Sequence, residues 1–214
     1  MKEWTREDLE RDIVGKMRAV TIPVNIRIEG EQRILDTGEI ESILRKAHTI
    51  TQNECGCRKM MGNCNPPIEP GDGCLGINET AEDIKKYGAR EISLEQAIEG
   101  LRRTYRAGLV HMAYIFPDQE TPFLICSCCE CCCHSLGAAR RLGYKNQVFP
   151  SRLVAVQDMA TCSSCGTCVE RCHFGARKIG SDVMEYSPEK CYGCGLCLET
   201  CPSGAISMEK RDGE

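Results

Sequence analysis

Cys162-Ser-Ser-Cys165-Gly-Thr-Cys168-Val-Glu-Arg-Cys172 is echoed 29 residues later by Cys191-Tyr-Gly-Cys194-Gly-Leu-Cys197-Leu-Glu-Thr-Cys201. Gly175-Ala176 and Gly204-Ala205 extend the match. A period of this size suits a duplicated supersecondary unit, and two copies favour a small pseudo-symmetric domain over a solenoid. With Pro150 as a boundary, the repeat predicts one domain over residues 151–214 and another over residues 1–150.

Eighteen cysteines in 214 residues exceed what a soluble core uses, so something must bind them. Disulfide scaffolds of that density are short secreted chains, whereas this one opens Met1-Lys2-Glu3-Trp4-Thr5 with no apolar export segment. The longest near-apolar stretch, Leu109 to Phe116, is strand-sized and broken by His111, so no direct membrane insertion is expected. The expected setting is cytoplasmic and reducing, where adjacent thiols such as Cys131-Cys132-Cys133 stay available as thiolate ligands. A formal charge of −4 with interspersed signs argues against nucleic acid as a partner. Aromatic residues make up only 5% of the chain, so bound metal is expected to supply part of the stability.

The two runs resemble the bacterial-type two-cluster ferredoxins over roughly Val154 to Met208. In that family three cysteines at C-x2-C-x2-C spacing wrap one corner of a 4Fe-4S cube, and the fourth cysteine of each run ligates the other cluster. The resemblance therefore implies two 4Fe-4S clusters, one held by Cys162, Cys165, Cys168 and Cys201, the other by Cys191, Cys194, Cys197 and Cys172. Zinc is the competing reading of C-x2-C pairs, but it seldom needs the x3-Cys continuation. The family's proline after the fourth cysteine is present as Pro202 and replaced by His173 after Cys172. His173 either restores a backbone donor near a cluster sulfur or occupies an exposed turn. Tyr192 and Phe174 are expected to shield the clusters from water.

Upstream, helical and extended patterns alternate, giving an α+β fold class: a small α/β cysteine-rich N-terminal domain followed by the pseudo-twofold ferredoxin-type domain. Thr5 and Asp8 have capping-box spacing ahead of a face formed by Leu9, Ile13 and Met17. Val20 to Ile28 reads as a strand placed near an edge by Pro23. Ile40, Ile43, Leu44 and Ala47 mark a second helix, and Thr80 to Tyr87 a short third. Ser93 and Gln96 form another capping box, Leu94, Ala97, Ile98, Leu101 and Tyr105 line the stripe that follows, and Gly108 ends that helix. Val110 to Phe116, the turn-like Pro117 to Glu120, and Phe123 to Cys126 read as a hairpin.

Ten further cysteines are candidate metal ligands. Cys55, Cys57, Cys64 and Cys74 lie in a Gly/Asn/Pro-rich stretch, and Cys126, Cys128, Cys129, Cys131, Cys132 and Cys133 crowd into eight positions. The pattern Cys55-Gly-Cys57-Arg58, then Gly108-Leu-Val-His111, then Ile125-Cys126-Ser-Cys128-Cys129-Glu-Cys131-Cys132-Cys133 resembles an N-terminal module of iron–sulfur proteins of anaerobic microbes, over roughly Gly38 to Leu142. Two more cubanes, giving four in all, are the first reading. One regular cluster with a larger or non-cubane assembly is the second, and zinc or idle thiols the third. Neighbouring side chains on an extended strand point opposite ways, so these thiols are expected to serve more than one centre. His111 and His134 are structural residues, ligands or proton donors, and Arg58 and Lys59 either offset cluster charge or form a solvated pair.

An electron relay between a redox protein donor and an acceptor follows as the leading function. The sequence leaves the oligomeric state open, and no G-x-G-x-x-G or P-loop supplies a nucleotide site. The alternatives are a reductase acting on a small sulfur-containing substrate at the upstream cysteines, and a redox-responsive regulator. Residues 1–150 carry 20 Lys+Arg against 22 Asp+Glu, a balance of −2 that disfavours DNA contact.

Overall fold

The computed structural model describes residues 3–12, 18–21, 36–116, 121–143, 148–181 and 183–211. The fold is α+β. In chain order the first elements are α1 (Arg6–Asp12), β1 (Arg18–Thr21), α2 (Asp36–Lys46), β2 (Ile50–Asn53), α3 (Gly56–Met61), β3 (Cys74–Ile77), α4 (Glu79–Lys85), β4 (Arg90–Glu91), α5 (Leu94–Arg106), β5 (Val110–Ile115), β6 (Leu124–Cys128), α6 (His134–Arg141) and β7 (Val148–Phe149). There follow β8 (Leu153–Gln157), α7 (Thr167–Glu170), β9 (Arg177–Ile179), β10 (Met184–Tyr186), α8 (Leu196–Glu199) and β11 (Ile206–Lys210).

Seven strands join in the order β4-β2-β3-β6-β5-β1-β7, antiparallel except for the β1–β7 pair. The hairpin read from the sequence is the β5–β6 pair, whose register sets Met112 opposite Cys126 and Val110 opposite Cys128. On the next strand Cys74 faces Cys126. Because directly opposed residues and alternate residues share a face, Cys74, Cys126 and Cys128 look out from one side of the sheet. Ser127 and its partner His111 belong to the other side.

That other side is covered by α5. Its capping box is formed as the spacing predicts, with Gln96 N–H donating to Ser93 Oγ and Ser93 N–H to Gln96 Oε1. Ala97, Leu101 and Tyr105 are buried, and Gly108 takes the left-handed φ of 86° that lets the chain leave the helix. The α1 cap is likewise present, with Asp8 N–H donating to Thr5 Oγ1 and Leu9 buried below it. Ile40 and Leu44 of α2 join the same core as Ile50, Tyr105 and Ile125.

Some expectations need adjustment. The strand read over Val20 to Ile28 starts earlier, as Arg18–Thr21, and lies inside the sheet between β5 and β7 rather than at an edge. Residues 22–35, Ile13, Met17 and Pro117–Glu120 lie outside the described residues. Within the Gly/Asn/Pro-rich stretch, α3 forms where apolar periodicity is absent. It is closed by Gly62 at φ 63°, whose N–H donates to Arg58 O.

The 29-residue repeat has a structural counterpart. The pairs α7 and α8, β8 and β10, and β9 and β11 occupy matching positions in the two copies. The ribbons cross between the copies: β8 pairs with β11, and β10 with β9. The first copy also packs onto the large sheet's core, where Phe174 is buried alongside Tyr105, Leu136 and Leu196. Arg171 Nη2 donates to Arg106 O at 2.7 Å, and His173 Nε2 sits 2.8 Å from Gly108 O. The His173 side chain is thus not in an exposed turn; it binds the C-terminal end of α5, with Glu130 3.7 Å from its other nitrogen.

Candidate metal centres

Crossing ribbons bring the fourth cysteine of each run to the opposite trio. One small cavity is lined by Cys162, Cys165, Cys168 and Cys201, and a second by Cys172, Cys191, Cys194 and Cys197. In both, a residue two positions after the first cysteine takes a left-handed φ, 51° at Ser164 and 69° at Gly193, and its N–H donates to the cysteine sulfur at 3.4 Å. Glycine is obligatory at the second position: a Cβ on Gly193 would stand 2.1 Å from Leu153 O. Gly166 and Gly195, at φ 82° and 77°, then start α7 and α8 and bring the second and third cysteines of each run onto one turn.

The surroundings differ in wetness. Cys165 is exposed in the first group, where a hydrogen bond with the Thr167 side chain lowers its pKa. In the second group burial raises Cys194, and raises Cys197 to about 11. Phe174 and Tyr192 stack at 4.3 Å and 10° and line this second cavity. Arg177, 3% exposed, is an unforeseen residue between the groups. Burial opposes its charge, but the neighbouring Cys197 and Cys168 thiols outweigh that and hold it protonated. The signal for it lay in the repeat, since position 177 is arginine where the second copy carries Ile206.

The ten upstream cysteines divide into six and four. Cys55, Cys57, Cys74, Cys126, Cys128 and Cys133 border a cavity of about 200 Å³ on the face of the sheet away from α5, and Cys129 of the other group reaches its wall as well. Cys55 immediately precedes α3, and Cys133 immediately precedes α6, where the N–H of Leu136 donates to its sulfur at 3.5 Å. Hydrogen bonds from Cys57 and Cys74 hold Cys55 well below the usual thiol range, while Cys126 is pushed up by burial and Cys128 by its neighbour Cys126. So many contiguous buried sulfurs cannot all ionise without a cation among them. The remaining four, Cys64, Cys129, Cys131 and Cys132, have sulfurs all within 4.8 Å of one another. Burial raises Cys64, and raises Cys129 to about 12.

Arg58 stands where the two upstream groups meet. Its guanidinium donates to Ser127 O at 2.7 Å and Asp72 O at 3.1 Å, and Cys55 and Cys129 raise its pKa against the cost of burial. Lys59 is exposed and pairs with Glu54, so the two bases do not form a common solvated pair. His134 Nδ1 lies 3.4 Å from Cys57 Sγ at the cavity. His111, by contrast, is buried on the α5 side, hydrogen-bonded to Thr104 Oγ1 at 2.9 Å, and burial lowers its pKa to about 3. It is a neutral core residue, and no cysteine hydrogen-bonds to it among the described contacts.

A family model described as a 4Fe-4S dicluster domain matches residues 161–205. The chain therefore carries a 4Fe-4S dicluster domain there, holding the two cavities that each draw on both repeats. The match leaves out the large sheet and the ten upstream cysteines. A search of curated proteins finds no match. The residues present suit iron–sulfur clusters: each cavity offers four sulfurs and no competing carboxylate, with backbone N–H groups aimed at sulfur. Among the described residues no helix is long and apolar enough to cross a membrane.

Proposed function

We propose that this chain is an iron–sulfur electron-transfer protein relaying single electrons between a redox donor protein and an acceptor protein. The observation that carries this reading is the pair of four-cysteine cavities within the matched domain, each completed by a cysteine of the other repeat. Cys162, Cys165, Cys168 and Cys201 would hold one 4Fe-4S cluster, and Cys191, Cys194, Cys197 and Cys172 the other, in a domain covering residues 151–214. Clusters of this kind, when bound, take up and release one electron at a time, at potentials set by charge, hydrogen bonds and exposure.

The chain's own residues set those conditions. Phe174 and Tyr192 keep water from the second cavity. Ser164 and Gly193 donate N–H groups to sulfur, and Arg177 supplies a buried positive charge beside both groups. Cys165 leaves an exposed edge at which a partner could dock. The six thiols around the 200 Å³ cavity would hold a further iron–sulfur centre. Anaerobic purification with iron and acid-labile sulfide counts tests the reading. More iron than the eight atoms of two cubanes is expected, with matching sulfide. Sulfide-free protein would sink it.

A second reading, reduction of a small sulfur-containing substrate at the six-thiol cavity, draws on two features. That cavity is about 200 Å³ against about 20 Å³ for the larger of the two downstream ones, and His134 offers a titratable group at its wall. If the reduced protein's spectrum ignores added disulfides and polysulfide, the relay reading stands alone.

A further inference from the structure

Four upstream sulfurs, one of them also at the wall of the large cavity, gather at the mutual spacing of ligands that share a single ion. Cys64 Sγ lies 3.5 Å from Cys129 Sγ and 3.7 Å from Cys132 Sγ, and Cys131 Sγ lies 3.8 Å from Cys132 Sγ. All four fall within 4.8 Å of one another. A tetrahedral zinc ion with metal–sulfur bonds of about 2.3 Å requires sulfur–sulfur edges of about 3.8 Å. In a 4Fe-4S cube each thiolate binds its own iron and points away from the other three, so the four sulfurs spread more widely than four sharing one ion.

We propose that Cys64, Cys129, Cys131 and Cys132 hold a single zinc ion in a closed, all-thiolate structural site. The donor set favours it: four thiolates and no carboxylate or imidazole is a combination that suits a closed tetrahedral ion. Access is restricted as well. Cys132 is fully buried and Cys129 6% exposed, with Met61, Leu109 and Trp4 packed around them. The carbonyls of the ligand loop are tied down, since Trp4 Nε1 donates to Cys132 O at 2.9 Å and Asn63 Nδ2 to Cys131 O at 2.8 Å. One divalent cation with four thiolates carries a net charge of −2, and Arg58 beside Cys129 offsets part of it.

The site has a structural task. Cys64 follows α3 by a few residues, and the other three ligands form the turn between β6 and α6. An ion joining them pins both segments that supply the large cavity, α3 through Cys57 and the turn through Cys133. Cys129 also borders that cavity, but its sulfur belongs to the close-packed four. The division replaces the expectation of two further iron–sulfur clusters with one such centre and one zinc.

Metal analysis of the full-length protein, purified anaerobically from iron-replete cells, tests the proposal. About one zinc per chain is expected, and the zinc absorption edge should report four sulfurs at about 2.3 Å with no second metal shell. Cys64→Ser and Cys131→Ser should each lower bound zinc at least fivefold, with a smaller fractional loss of iron and sulfide per folded chain. Zinc ligated by nitrogen or oxygen, a zinc–iron shell, or iron rather than zinc lost from those variants would overturn it. The wild-type spectrum gives this answer even if the variants fold poorly. Zinc retained in a protein that lacks sulfide would leave this site standing while removing the electron-transfer reading.

Discussion

Arg177 holds its guanidinium carbon 4.4 Å above the centre of the Tyr186 ring, and the Tyr186 hydroxyl in turn donates to Ala155 O at 2.6 Å. The arginine's position is therefore fixed by packing from below as well as by its contact with Gln157 Oε1. A reduced cluster carries one more negative charge than an oxidised one, so a fixed cation nearby favours reduction. Arg177→Met should lower both downstream potentials, by roughly 50–100 mV if the charge acts through an effective dielectric of about 20. Anaerobic redox titration followed by electron paramagnetic resonance measures the shift, and unchanged potentials would remove Arg177 from any tuning role.

Pairs of substitutions test the exchange of cysteines between repeats. Cys201→Ser combined with Cys165→Ser strikes one four-cysteine group twice, so its iron loss should resemble that of either single variant. Cys201→Ser combined with Cys194→Ser strikes both groups, and the losses should add. Iron counts that show the reverse pattern would place each fourth cysteine with its own run.

Phe174 is 7% exposed and stacked on Tyr192. Truncating a buried phenylalanine to alanine costs about 3–5 kcal/mol, including the stacking lost with its partner. Phe174→Ala should destabilise the chain by that order and speed bleaching of the visible absorption in air, because the second cavity loses its cover. Denaturant unfolding and bleaching rates read the two effects separately.

His111 is buried neutral, with a pKa lowered to about 3 from an ordinary 6.5. Between those values the unfolded chain binds a proton that the folded chain refuses, so stability is complete above pH 6.5 and falls as the pH drops towards 3. The slope approaches about 1.4 kcal/mol per pH unit well inside that window. Urea unfolding between pH 7 and pH 5 should show this loss, and His111→Gln should flatten it. An equal slope in the variant would assign the acid sensitivity elsewhere.

Asp72 has a side chain 1% exposed and pairs with both Nε and Nη2 of Arg103, at 2.8 and 2.9 Å. Gln52 Nε2 donates to the same carboxylate at 2.9 Å. Arg103→Ala leaves that carboxylate buried and short of its cation, a loss of about 3–5 kcal/mol. Asp72→Asn together with Arg103→Met should recover much of it, as measured by the denaturant midpoint.

Local signals carried much of the fold. The Ser93 and Gln96 cap, the apolar stripe behind it and Gly108 delimit α5 through interactions within a few residues, so sequence alone reveals them. The repeat likewise exposes the four-plus-four grouping downstream, because the ribbons follow the duplication. The upstream division was hidden for a physical reason. Cys74 joins Cys126 through strand register, and Cys64 joins Cys129 across 65 positions, and neither contact leaves a local trace. Alternation along an extended chain points Cys128 and Cys129 to opposite sides, yet it could not count the members of each group. Trp4 reaches its place by long-range packing, and its surroundings in the sequence do not mark it.

His173 gripping the end of α5, where its counterpart in the second copy is Pro202, has broken the symmetry of a duplicated module. One copy is fastened to the large sheet, so the cavity behind Phe174 is turned inward while the one bearing Cys165 keeps its face to the solvent. Twin halves of one duplicated sequence have thereby been made unequal, one lying against packed protein and the other beside water.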